Sequence, residues 1–148
     1  MISCLTSSRD GMGVYSYASG DSYMGSYAND LKHGEGIYKY ANGTVYEGSF
    51  KEGQFDGMGT CTYADGDMYT GLWRNGKRHK RGVYQLKNGA VYEGGYHQGL
   101  MHGKGSFRLP NGEVFHQGQW EKGTPVGDSE ILPFGSMNTI NTTKRLKT

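Results

Sequence analysis

Three histidines, His33, His79 and His102, share one repeated position in this chain, with Asp56 filling the same column, and an evenly spaced set of imidazoles first suggests a metal. Zinc holds its nitrogens about 2.0 to 2.1 Å away. If the repeated unit is a pair of strands, equivalent side chains stand two strands apart, roughly 10 Å. They cannot share an ion, and hydrogen bonding near a polar face is the better use of them. Nucleophilic chemistry needs a unique constellation of nucleophile, base and orienter, whereas the serines and histidines here fall at repeated positions. No enzyme, metal or cofactor is expected. Fragments such as Gly-Met-Gly and Gly-Glu-Gly resemble pieces of phosphate loops, but no helix follows to supply an N-terminal dipole.

The most unusual charged stretch is Lys77-Arg78-His79-Lys80-Arg81, where Lys80 replaces a glycine kept at Gly34, Gly57 and Gly103. Lys77, Arg78, Lys80 and Arg81 form a candidate cationic cluster for an acidic partner segment or anionic lipid headgroups. The plainer reading is a solvated turn. Four cations at about 1 kcal/mol each are marginal for membrane binding alone.

What must position these residues is a repeat of 23 residues, visible column by column. One column reads Tyr23, Tyr46, Tyr69, Tyr92, followed two residues later by Gly25, Gly48, Gly71, Gly94 and four later by Tyr27, Phe50, Trp73, Tyr96. A second glycine column is Gly13, Gly36, Gly59, Gly82, Gly105; it leads Tyr15, Tyr38, Cys61, Tyr84, Phe107 by two and Tyr17, Tyr40, Tyr63, Leu86, Leu109 by four. Each unit closes on a turn pair such as Asn42-Gly43 or Asp65-Gly66.

Glycine is 26 of 148 residues and proline only 3, so the glycine is periodic and structural rather than collagen-like. Apolar residues make up 34% and aromatics 13%, so burial must come mainly from rings. Sixteen basic against 14 acidic residues, net +2, is too balanced for a nucleic-acid binder. Cys4 and Cys61 sit in unrelated positions and read as free thiols of a reducing compartment. No apolar run reaches transmembrane length and MISCLTSSRD lacks signal-peptide character, so a soluble, cytoplasmic protein is expected.

Within each unit, apolar or glycine residues alternate with polar ones, as in Val45-Tyr46-Glu47-Gly48-Ser49-Phe50, which is the period of a strand. A two-residue turn at Glu52-Gly53 places Phe50 opposite Phe55, Gly48 opposite Gly57 and Tyr46 opposite Gly59. The same rule at Asn75-Gly76 sets Trp73 against Arg78, which puts Arg78 and Lys80 on the aromatic face, and Tyr69 against Gly82. For the other connection, a three-residue loop Ala41-Asn42-Gly43 with Gly43 left-handed keeps Tyr38 and Tyr46 on one face. The fold class is therefore all-β. It is an elongated single antiparallel meander of about ten or eleven strands, on the order of 50 Å long, with rings over glycines on one face and Glu47, Ser49, Thr60 and Thr62 on the other. A single sheet has no second layer, so it must curl into a groove or meet a partner.

In order, the chain reads as a lead at 1–9, a half repeat at 10–22, repeats starting at 23, 46, 69 and 92, and a degenerate repeat from 115 with one residue inserted near Gln117, ending the array at 127. A polar, basic tail at 128–148 is a cap or disordered.

The run Tyr46-Glu47-Gly48-Ser49-Phe50, Glu52-Gly53, Asp56-Gly57-Met58-Gly59, Tyr63-Ala64-Asp65-Gly66 resembles the MORN repeat, YxGxWxxGxxHGxGxxxxxxG, and the likeness covers Asp10 to about Gly127. The resemblance implies scaffolding or protein binding without catalysis, often in cytoskeletal, ciliary, flagellar or membrane-associated assemblies, and raises association with acidic phospholipids. On that basis the expected partner is an amphipathic helix or extended peptide laid in the aromatic groove. Tyr23, Tyr46, Tyr69 and Tyr92 are placed toward its open side, with Trp73 and Tyr96 as further lining. The alternative is a peripheral membrane module binding phosphoinositides through the basic cluster. A homodimer paired through a sheet edge or end is also open.

Overall fold

The computed structural model describes residues 9–127. Expectations for Cys4, for the lead before Arg9 and for the 128–148 tail lie outside the described residues. The strands are β1 (Gly11–Ser16), β2 (Ser22–Ala28), β3 (Leu31–Lys39), β4 (Val45–Lys51), β5 (Gln54–Thr62), β6 (Met68–Arg74), β7 (Lys77–Gln85), β8 (Val91–His97), β9 (Leu100–Arg108), β10 (Val114–Glu121) and β11 (Thr124–Val126). They make one open antiparallel sheet in sequence order, with no helix among the described residues. The expected all-β meander is the observed fold.

Both connection types follow from backbone conformation. Glu52 and Gly53 have φ of 50° and 85°, and Asn75 and Gly76 have 49° and 77°. Two successive left-handed residues are the two-residue turn whose twist suits a hairpin. At the other end, Gly43 has φ 95° and donates to the Tyr40 carbonyl at 3.0 Å, closing the three-residue loop that keeps Tyr38 opposite Tyr46.

The hairpin register holds at the turn and then changes. Phe50 faces Phe55 and Trp73 faces Arg78, as expected, but Gly48 faces Gly59 rather than Gly57, and Tyr46 faces Cys61 rather than Gly59. Likewise Tyr69 faces Tyr84, not Gly82. The reason is strand length: β4 has 7 residues and β5 has 9. A bulge at Gly57, φ 100°, absorbs the two extra residues. Because the shift is even, residues beyond the bulge keep their faces. At the left-handed position itself the side-chain direction turns over: a Cβ on Gly57 would meet the Ser49 side chain at 3.1 Å, on the polar face, so Lys80, the equivalent residue one unit on, stands there rather than on the aromatic face with Arg78.

The last unit is corrected in a similar way. Val114 pairs with Arg108 and His116 with Phe107, so the inserted residue is Phe115 rather than one near Gln117.

Successive units are tied at both ends. Each hairpin-turn glycine donates its N–H one unit back: Gly53 to the Lys32 carbonyl, Gly76 to Phe55, Gly99 to Arg78 and Gly123 to Met101, at 2.8 to 3.0 Å. At the loop end, Asp21 accepts from the Tyr38 hydroxyl and the Ala41 N–H, both at 2.8 Å, and Asp67 accepts from Tyr84 and the Lys87 N–H, both at 2.9 Å. The Ala41 N–H and the Tyr38 hydroxyl hold Asp21 below the usual carboxylate range. Asp21 and Asp67 stand 46 residues apart, one position in alternate units, with Thr44 between them donating no charge but accepting from Ala64 N–H at 3.2 Å.

Candidate functional site

The aromatic face is built on glycine. A Cβ on Gly36 would lie 2.5 Å from the Tyr23 hydroxyl and 2.6 Å from its ring, and Gly59, Gly82 and Gly105 stand in the same relation to Tyr46, Tyr69 and Tyr92. Each tyrosine thus lies flat on backbone. Its hydroxyl donates to the carbonyl three residues on: Tyr23 to Ser26, Tyr46 to Ser49, Tyr69 to Leu72 and Tyr92 to Gly95, each at 2.8 Å. Those carbonyls sit where the register shifts, so the ladder leaves them without a strand partner and the hydroxyl supplies one. In the last unit His116 takes the tyrosine's place. Its Nε2 lies 3.1 Å from the Gln119 carbonyl, and since a carbonyl only accepts, Nε2 carries the proton.

The rings then pack on one another along the whole array. Edge-to-face contacts at 4.6 to 5.4 Å run in an unbroken series from Tyr15 through Tyr27, Tyr23, Phe50, Tyr46, Trp73, Tyr69, Tyr96 and Tyr92 to Trp120. Each tyrosine touches a ring of its own unit and one of the next, which couples neighbours at about 0.5 to 1.5 kcal/mol per pair beyond area burial. Trp73 also donates its ring N–H to the Gly59 carbonyl at 3.0 Å.

This geometry corrects the placement of the proposed groove residues. Tyr23, Tyr46, Tyr69 and Tyr92 are 0% exposed, and Trp73 and Tyr96 are 3% exposed. They are the floor of the aromatic face rather than its open side. What stays half-buried is most of the column toward the three-residue loops: Tyr17, Tyr40, Leu86 and Leu109, with Tyr15 and Tyr38 beside them, while Tyr63 in the middle of that column is buried. The columns were legible in the sequence; their depth was not, because a ring's cover comes from the next unit.

The basic cluster also divides. Lys77, Lys80 and Arg81 are exposed, but Arg78 is only 5% exposed and enters the aromatic layer. Its guanidinium lies 5.8, 5.3 and 5.4 Å from the rings of Tyr69, Tyr84 and Tyr96, and Nη2 donates to the Gly99 carbonyl at 2.9 Å. Nη1 and the Tyr96 hydroxyl are buried without hydrogen-bond partners. Burial pushes that hydroxyl's pKa well above its ordinary value, with the Arg78 charge pulling partly back. The four cations therefore do not form one surface site.

Arg78 belongs to a column that the sequence reading missed. Arg9, Lys32, Phe55, Arg78 and Met101 are spaced 23 apart. Lys32 sits 5.3 to 5.8 Å from the rings of Tyr17, Tyr23 and Tyr38, and Arg9 sits 4.9 and 4.8 Å from Tyr15 and Tyr27. Phe55 stacks on Tyr46 at 3.6 Å. Cations and apolar groups share this column because both can lie against a ring face. The available signal was the column itself, obscured by its mixed chemistry.

Lys80 has φ 55° where Gly34, Gly57 and Gly103 have 75°, 100° and 79°. A left-handed lysine is strained by roughly 1 to 2 kcal/mol, partly offset by the greater freedom glycine has when unfolded. Lys80→Gly is expected to stabilise the protein by about 0.5 kcal/mol, read from chemical denaturation midpoints; a loss of stability would show that the lysine side chain makes compensating contacts. Near it, a cleft of about 560 Å³ is lined by Lys51, Asp56, Leu72, Arg74, His79 and Lys80, among others. Its cations and carboxylates are mixed, so it favours neither charge. Among the described residues no group of three or more His, Cys, Asp and Glu side chains could hold a metal.

A comparison with curated proteins finds no match. A family model, the MORN repeat, matches five consecutive segments, 9–22, 23–45, 46–68, 69–91 and 92–114. The last four segments begin on the tyrosines that lie over glycine, so the pattern detected in the sequence and the ring-on-backbone unit seen in the structure are one object, and the chain belongs to the MORN-repeat family.

Proposed function

We propose that this protein is a non-enzymatic scaffold whose aromatic face receives an amphipathic helix or extended peptide of another protein. MORN-repeat proteins are generally non-enzymatic scaffolds, which supports the first half of that reading. The observation that supports the second is the half-buried strip Tyr17, Tyr40, Leu86 and Leu109, apolar residues at one position of four units along a single sheet. Repetition along an elongated array, interrupted at the buried Tyr63, suits a partner that is itself extended. Assemblies of the cytoskeleton, a cilium or flagellum, or the cytoplasmic face of a membrane are the settings where such a scaffold would serve.

The test is affinity capture comparing wild type with Tyr40→Ser/Leu86→Ser/Leu109→Ser. The expected result is loss of the captured proteins with unfolding midpoint nearly preserved, because these side chains are only partly buried. An unchanged set of captured proteins from the folded variant would end the proposal. Tyr69→Ala or Trp73→Ala would not discriminate, since both rings are core and their removal costs about 3 to 5 kcal/mol.

The competing membrane reading has less support. With Arg78 withdrawn into the rings, Lys77, Lys80 and Arg81 are left of the original cluster, and about 1 kcal/mol from each is short of stable attachment.

A further inference from the structure

The two ends of the sheet are built differently. β11 has three residues and carries Pro125, which cannot donate a ladder hydrogen bond, so that edge is blunted. β1, Gly-Met-Gly-Val-Tyr-Ser, has no proline and no charge, and among the described residues it pairs only with β2. Met12 is 75% exposed and Val14 72%. Val14 pairs beside Met24, 48% exposed, and Met24 beside Ile37, so the apolar surface runs from the edge across three strands. Such an edge is the kind that recruits another strand.

The hydrogen-bonding groups of that edge can be assigned. The Tyr17 N–H donates to the Asp21 carbonyl at 2.9 Å, which makes Tyr17 and Asp21 a hydrogen-bonded pair of the β1–β2 ladder. Such pairs alternate along antiparallel strands. Odd-numbered residues of β1 therefore bond to β2, and the N–H and C=O of Met12 and Val14 point away from the sheet.

We propose that β1 pairs antiparallel with β1 of a second copy of this chain, about a two-fold axis at Gly13. Met12 then stands opposite Val14 of the other copy, and the same pair recurs on the far side of the axis. Each pair exchanges two N–H to C=O bonds through groups that already face outward. Opposed residues in an antiparallel pair share a face, so the exposed Met12, Val14 and Met24 side chains of both copies merge into one patch. The ring-bearing face continues across the seam in the same way. Self-complementarity is what favours a second copy over an unrelated strand: one segment supplies both partners with no charge to place. A pairing this short falls below the roughly 1,200 Å² of a stable interface, so the association is concentration-dependent. It goes beyond the scaffold role and does not rest on it.

Sedimentation of the full chain over a concentration series tests this. The expected result is a shift from the 16.3 kDa monomer toward twice that mass. Val14→Pro removes an outward N–H from each copy without touching the β2 ladder, and should weaken association by at least about tenfold, from two hydrogen bonds of about 1 kcal/mol each. Met12→Lys/Val14→Lys, which leaves the backbone alone, should do likewise if the proline variant folds poorly. A chain monomeric at every concentration overturns the proposal, whether the edge is found protected by its own chain in hydrogen exchange or free. So does a dimer that both variants leave intact.

Discussion

Alanine at Gly71 is expected to unfold the middle of the array. The added Cβ would lie 2.5 Å from Gly82 Cα, 2.6 Å from the Arg81 carbonyl oxygen and 2.6 Å from the Tyr69 hydroxyl. Two of the three are backbone atoms of the neighbouring strand. They can yield only if β6 and β7 separate, since Gly71 and Gly82 are directly paired. The ring can yield only by losing its bond to the Leu72 carbonyl and its edge contacts with Trp73 and Tyr96 at 5.0 and 5.2 Å. Overpacking costs about 1 to 3 kcal/mol, the hydrogen bond about 1, and the two ring contacts about 0.5 to 1.5 each. A total of roughly 4 kcal/mol or more is a large part of the 5 to 15 that holds a domain of this size. In a repeat array a broken interface also uncouples what lies on either side. Gly103→Ala is the control: nothing lies within 4 Å of its Cβ, and only φ 79° opposes it, at about 1 kcal/mol. Thermal unfolding of the two variants should therefore differ severalfold in lost stability. Equal, small losses would show that glycine is not there to admit the ring.

The second large effect is alkaline collapse. Tyr23, Tyr46, Tyr69, Tyr84, Tyr92 and Tyr96 are all buried. Burial pushes the Tyr23 hydroxyl up to about 12, with lesser contributions from Tyr17 and Glu35; it pushes Tyr46, Tyr69, Tyr84 and Tyr92 higher still and Tyr96 well above its ordinary value. For Tyr84 the bond to Asp67 adds to the effect of burial. An unfolded tyrosine loses its proton near pH 10. Above that pH the unfolded chain binds fewer protons than the folded one, so stability falls as pH rises; below it the full stability is present. At about pH 11 each buried tyrosine costs about 1.4 kcal/mol, and six together cost about 8, comparable to the whole stability. The expected observation is a single cooperative transition between about pH 10 and 12, with tyrosinate absorbance and loss of sheet signal rising together. Smooth titration of all tyrosines around pH 10, the sheet remaining intact, would contradict the burial of these hydroxyls.

The same residues show where sequence reasoning succeeded and where it stopped. Placing Tyr38 and Tyr46 on one face required only parity and a left-handed Gly43, both readable from spacing. Pairing Tyr46 with Gly59 failed, since parity is blind to a shift of two and the bulge at Gly57 makes that shift. Phe115 is aromatic and stands 23 residues after Tyr92, so spacing makes it the tyrosine equivalent, yet the chain bulges there and His116 makes the contact to a carbonyl three residues on that the tyrosines make in the other units. Arg78 reads as surface charge by composition and is core by position, because three tyrosine rings and the Gly99 carbonyl receive it.

By itself, the sequence determined the strand period, the two turn types and, outside the left-handed bulge positions, the side of the sheet on which each residue stands. These follow from local backbone preferences and from alternation along a strand. The tertiary structure alone decided depth: which rings lie under others, which cation is taken in, and which strand edge is left open. Depth is set by atoms one unit away, and no column of the repeat records how closely its neighbour approaches.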